Sequence, residues 1–72
     1  MALFNERLKE LRVKKHITQK DFAKIVGITE RAYQNYEINA SLPNYKTLIF
    51  LADYFNVSLD YLTGRSDNPE IQ

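Results

Sequence analysis

The apolar residues of the chain fall in short clusters at helical spacing. Phe4, Leu8 and Leu11 recur in a segment rich in Glu, Lys, Arg and Leu, and predict a first helix over about residues 4–14 with a narrow apolar stripe. Next comes TQKDFAKIVGITERAYQNYE, Thr18 to Glu37, which reads as two short helices joined by a tight turn. Thr18 is placed to cap the first of them, with Asp21 three residues on as a capping-box-like partner, and Thr29 to cap the second. Gly27 supplies the left-handed backbone a sharp turn needs, and Ala23 is small enough for a close crossing. Phe22, Ile25, Val26 and Ile28 are expected to be buried. Leu48, Leu51, Ala52 and Phe55 follow at i, i+3, i+4 and i+7 and predict an amphipathic helix that ends near Asn56 and packs across the first three.

The connections carry their own signals. His16 sits where the chain must turn before Thr18, and INASLPN after Glu37 reads as a loop with Asn39 at a positive φ and Asn44 as a cap. Ser58 caps a short fifth helix, LDYL, that Gly64 stops. The expectation is therefore an all-α domain over residues 1–64, followed by a mobile tail over 65–72.

At about 100° per residue, Ala32, Tyr33 and Tyr36 share one side of the helix after Gly27, while Glu30, Arg31, Gln34 and Asn35 share the other. The polar side is the one left for a ligand. Arg suits the O6/N7 edge of guanine, Gln and Asn the N6/N7 edge of adenine, and Glu can accept from cytosine N4. A polar helix face on its own is only a solvated surface, and it is the turn pattern that makes base reading the better account.

Composition narrows the classes. Seventy-two residues with 44% hydrophobic and 26% charged side chains make one folded domain with a modest core, for which dimerisation would add stability. Without cysteine there is no disulfide, thiolate metal site or thiol nucleophile, which fits a reducing cytosol. No apolar run is long enough to span a membrane, and MALFNERLKEL lacks secretory-signal features, so a cytoplasmic location is expected. Ten Lys and Arg against nine Asp and Glu give a net charge of only +1. The distribution is uneven, with Lys9, Arg12, Lys14, Lys15, Lys20, Lys24 and Arg31 in the N-terminal half and Asp53, Asp60, Asp67 and Glu70 towards the other end. One histidine and no clustered carboxylates leave no catalytic residue, metal site or cofactor to expect.

LKELR, TQKDFAKIVGI, the YE pair, a Pro43-containing loop and KTLIFLADYFNVSLDYLTG resemble, in order and spacing, the Cro and phage-repressor (xenobiotic-response-element-like) helix-turn-helix regulators, from Leu8 to Gly64. The resemblance implies a compact five-helix, lambda-repressor-like domain with the helix-turn-helix at helices 2 and 3. It implies further that the helix Thr29 to Tyr36 enters the major groove, with Thr29, Glu30, Arg31, Gln34 and Asn35 at bases or phosphates. Gln19 resembles the family glutamine that bonds a phosphate and braces the recognition helix, and Arg12 and Glu37 stand where family members pair charges, leaving Arg12 near a phosphate. Asn39, Ser41, Tyr45 and Lys46 are implied backbone contacts around the loop.

This chain departs from the family pattern at several positions. His16 and Asn39 stand where glycine is common, and Tyr33 replaces a small aliphatic residue, so that its ring either fills the space between helices or swings its hydroxyl towards DNA, packing being the better account. Glu30 would face phosphates unless it meets a cytosine amino group or Arg31. Phe50 replaces a polar residue, and with Ile49, Tyr54 and Tyr61 it forms either a dimer interface or a cover for the loop below. The leading expectation is a DNA-binding transcriptional repressor acting as a homodimer on a palindromic operator. The alternative is a protein-binding module, such as an antitoxin, that binds DNA weakly. An enzyme is a distant third.

Overall fold

The computed structural model describes residues 3–71, which form five α-helices: α1 (Phe4–Lys14), α2 (Gln19–Val26), α3 (Glu30–Glu37), α4 (Tyr45–Phe55) and α5 (Leu59–Leu62). Each of the last four starts at a side-chain cap. Thr18, Thr29 and Ser58 accept through their hydroxyls from the backbone N–H groups of Asp21, Ala32 and Tyr61, and Asn44 accepts from Thr47 through its amide oxygen. In α1 the Glu6 carboxylate reaches back to the Leu3 N–H at 3.4 Å.

Between α2 and α3 the chain reverses at Gly27, whose φ of 90° is left-handed. A Cβ there would meet nothing within 4 Å, so it is the backbone angle and not lack of space that calls for glycine. Both Gly27 and Ile28 donate their N–H to the Ala23 carbonyl, closing the last turn of α2. His16, Asn39 and Asn56 also take positive φ, at 58°, 63° and 55°.

Phe22 is the centre of the core. It is fully buried on α2, and its ring lies 5.3 Å from each of Tyr33 on α3 and Tyr54 and Phe55 on α4. Leu8, Ala23, Leu51, Ala52, Val57 and Leu62 complete the cluster. The packing differs from expectation in two places. Ile25 is 43% exposed, because Phe22 and Ala23 already fill the side of α2 that faces the core. Instead of crossing all three preceding helices, α4 packs chiefly on α2 and α5, while α3 is held by α2 and α1. This leaves one side of α3 uncovered.

The described residues beyond α5 contain no helix but touch the body. The Ser58 N–H donates to the Pro69 carbonyl at 2.9 Å, and Asp67 meets Arg7 at 3.1 Å.

Candidate nucleic-acid interface

The underside of α3 carries a buried polar knot. Tyr33 is wholly buried edge-on to Phe22, and its hydroxyl donates to the carboxylate of Glu37 one turn on. The same carboxylate receives Arg12 Nε at 2.7 Å, Arg12 Nη2 at 3.1 Å and Gln19 Nε2 at 3.0 Å. Arg12 Nη1 donates to the Ile17 carbonyl at 2.7 Å, so every guanidinium nitrogen is engaged. Both α1 and α2 are thereby tied to the last residue of α3.

The electrostatics follow from that closure. Burial opposes ionisation of Glu37, but the hydrogen bonds from Arg12, Tyr33 and Gln19, with the Arg12 charge, outweigh it and hold the carboxyl below its ordinary range. The hydrogen bond to Glu37 raises Arg12 against the smaller opposing effect of burial. Burial, reinforced by the adjacent carboxylate, pushes the Tyr33 phenol far up, so it stays a neutral donor.

The opposite side of α3 faces outward. Thr29, Glu30 and Arg31 are exposed, and Gln34 and Asn35 are half-buried. Gln34 Nε2 lies 3.4 Å from Glu30 Oε2 and 3.4 Å from Gln19 Oε1. The Asn35 carbonyl accepts the N–H groups of Ala40 and Ser41 at 2.8 and 3.2 Å, which sets the course of the loop after α3. Around that loop Asn39, Ser41, Tyr45 and Lys46 are all exposed, Tyr45 by 72%. These side chains can donate to phosphates without rearranging the core.

Arg12 and Gln19, expected both to brace the recognition helix and to lie at phosphates, make their hydrogen bonds here within the protein. Arg12 spends all its nitrogens on Glu37 and Ile17, and the amide of Gln19 bridges Glu37 and Gln34. Both brace α3.

The four residues expected at an interface lie in different surroundings, Phe50 exposed and Ile49, Tyr54 and Tyr61 half-buried. Phe50 is 39% exposed and stacks on Tyr54 with centroids 6.2 Å apart. Tyr54 is half-buried against Phe22 and Phe55, with Lys15 Nζ 5.3 Å from its ring. Ile49 instead lines a cavity of about 570 Å³ with Val57 and Leu59. The Tyr61 ring is covered by the Arg7 guanidinium at 3.8 Å.

Sequence reasoning missed two parts of this arrangement. The Tyr33–Glu37 bond was foreshadowed by i, i+4 spacing on one helix. Arg7, 5% exposed, lies within the apolar stripe Phe4, Leu8, Leu11 at i+3 from Phe4, a position that burial would claim whatever residue stood there.

A helix-turn-helix family model matches residues 8–62, from the middle of α1 to the end of α5. The chain belongs to the helix-turn-helix family. Among curated relatives, an uncharacterized HTH-type transcriptional regulator of Bacillus subtilis, YqaE, is 42% identical over 69 residues, which is 96% of this chain and 60% of the relative. The cryptic phage CTXphi transcriptional repressor RstR of Vibrio cholerae is 36% identical over 93% of this chain and 60% of its own length. This helix-turn-helix chain thus spans about three-fifths of the length of these relatives. Among solved structures, the P22 c2 repressor in complex with synthetic operator 9T superposes with a TM-score of 0.82 at 30% identity, covering 92% of this chain and 100% of that one. A transcriptional regulator from Listeria innocua gives 0.81 at 30% identity, over 85% of this chain and 57% of that one. Among the described residues, no helix of this helix-turn-helix domain is long and apolar enough to cross a membrane, and no group of His, Cys, Asp or Glu is arranged to hold a metal.

Proposed function

We propose that this chain binds double-stranded DNA sequence-specifically as a cytoplasmic transcriptional regulator, a repressor, with α3 in the major groove. The observation that carries this is the two-sided character of α3: a locked underside of Tyr33 and Glu37, and an outward face of Thr29, Glu30, Arg31, Gln34 and Asn35. The likeness to the P22 c2 repressor–operator complex supports it. On this reading Asn39, Ser41, Tyr45 and Lys46, with the N–H groups at the start of α2 and α3, hold phosphates, and the outward face reads bases. Binding is the whole of the activity and no bond is made or broken. A homodimer on a palindromic operator, its half-sites about one helical turn apart, completes the reading, and the exposed Phe50 stacked on Tyr54 supports it.

Selection of bound sites from random DNA, followed by titration at several salt concentrations, tests the proposal. Affinity should fall with a log-log slope near −0.9 per phosphate neutralised. Arg31→Ala should cost about 1 to 3 kcal/mol at one base of the selected site and relax specificity there. Equal losses on selected and random DNA would overturn the assignment of Arg31, and affinity flat in salt would overturn DNA binding in favour of a protein partner. For the dimer, Phe50→Glu should move sedimentation towards monomer, and an unchanged profile removes that interface.

A further inference from the structure

We propose that Gln19 and Glu30 together fix the polarity of Gln34, so that this residue reads only bases carrying an exocyclic amino group in the major groove, adenine or cytosine. The inference rests on the DNA-binding reading and goes beyond it, because a free glutamine can present its amide either way round.

A primary amide has two N–H hydrogens on one side and a carbonyl oxygen on the other. Gln34 Nε2 stands 3.4 Å from Gln19 Oε1 and 3.4 Å from Glu30 Oε2, so both its hydrogens have acceptors inside the protein. Gln19 cannot turn to offer its own donor instead. Its Nε2 donates to Glu37 Oε1 at 3.0 Å, and Glu37 is anchored by Arg12 at 2.7 Å and by the Tyr33 hydroxyl. Glu30 as a carboxylate only accepts. The orientation of Gln34 is thus dictated from the buried knot outward through Gln19, and what remains to face the groove is the carbonyl Oε1.

An acceptor selects for a donor. In the major groove that donor is adenine N6 or cytosine N4, whereas guanine O6 and N7 and thymine O4 are acceptors that an amide oxygen repels. The bidentate grip on adenine N6 and N7, which needs an amide hydrogen, is closed to Gln34 here. Glu30, with one carboxylate oxygen turned to Gln34, adds a second acceptor beside the first. Gln19 is therefore a positioning residue for specificity, acting through Gln34 rather than touching the base.

The test starts from the site the full chain selects from random DNA, with the base read by Gln34 located as the one whose discrimination Gln34→Ala abolishes. That base should be adenine or cytosine. Where it is adenine, replacing it with purine, which lacks the N6 amino group, should lower affinity about as much as Gln34→Ala does, and 7-deazaadenine, which lacks N7, should leave affinity within about twofold. Where it is cytosine, uracil should reproduce the loss. Gln19→Met, which removes the acceptor on which Gln34 rests together with a donor to Glu37, should admit guanine or thymine at that one position, whatever it costs in overall affinity. Circular dichroism of the variant keeps a folding defect distinct from a change of preference. Guanine or thymine at the wild-type position, sensitivity to 7-deazaadenine, or a uniform loss in folded Gln19→Met would each overturn the inference and leave the DNA-binding reading intact. A chain that enriches no sequence would overturn both.

Discussion

Arg7 and Arg12 stand on the same helix, and both are withdrawn from solvent, with side chains 6% and 11% exposed. Arg12 meets a carboxylate that is itself 3% exposed, donates from all three nitrogens, and ends in a knot that also takes up Tyr33 and Gln19. Among the described residues, Arg7 lies over the Tyr61 ring and reaches only Asp67, whose side chain is 81% exposed, while its Nε and Nη1 are buried with no partner there. One arginine is a closed hydrogen-bonded unit and the other is an open one. Burial alone does not make an ion pair strong, since a buried charge repays its desolvation only when the remaining donors are also satisfied. The closed unit lies beneath the reading helix, where orientation matters. The open one joins α1 to α5 and the segment after it, where a stacking contact is enough to hold the ends together.

Breaking the closed unit should have the largest effect. Glu37→Ala strands Arg12, Tyr33 and Gln19 and should cost about 3 to 5 kcal/mol, read as a fall in the urea midpoint. A cost under about 1 kcal/mol would show that the knot does not stabilise the fold. Acid should do the same thing gradually. Glu37 has its pKa lowered in the fold from the ordinary 4.5, so its contribution is full above that pH and is lost as pH falls through the lower folded value. Stability measured below about pH 4.5 should therefore drop, and the drop should shrink in Glu37→Gln. The open unit should be far more tolerant. Arg7→Met gives up the contact with Tyr61 but also removes two orphaned donors, and should stay within about 1 kcal/mol of the parent. Smallest of all is Asp67→Asn, because a pair with so exposed a carboxylate contributes at most about 1 kcal/mol. If Arg7→Met proved as damaging as Glu37→Ala, the contrast between the two arginines would fail.

Much of the fold could be read in the sequence wherever the physics is local. Thr18, Thr29, Asn44 and Ser58 cap within three residues of themselves, and Gly27 reverses the chain through its own φ, so each signal sits beside the element it starts or stops. Asn56 was read only as the end of a helix, yet it takes a left-handed angle, since asparagine tolerates that angle without announcing it. Ile25 misled because a helix of eight residues has more apolar side chains than its core-facing side can cover. The outward face of α3 followed from helical period, but the state of the groups on it did not. The resemblance implies that Gln19 braces the recognition helix, but only the fold shows that its partner is the carboxylate 18 residues away.

By itself, then, the sequence determined five helices, their caps, the reversal at Gly27 and a polar side on α3, because hydrogen bonds and periodicity within about four residues decide those features. Apart from the Arg12–Glu37 pair, which the resemblance implied, tertiary structure alone decided which polar groups spend their hydrogen bonds inside the protein. Arg12 finds Glu37 across 25 residues and Arg7 finds Asp67 across 60, and partners so far apart in the chain meet only once helices have packed around Phe22. The same packing leaves Phe50 partly outside and places Tyr61 under a guanidinium. Residue type sets how many donors and acceptors a side chain has, whereas its surroundings in the folded chain set which of them remain for a ligand.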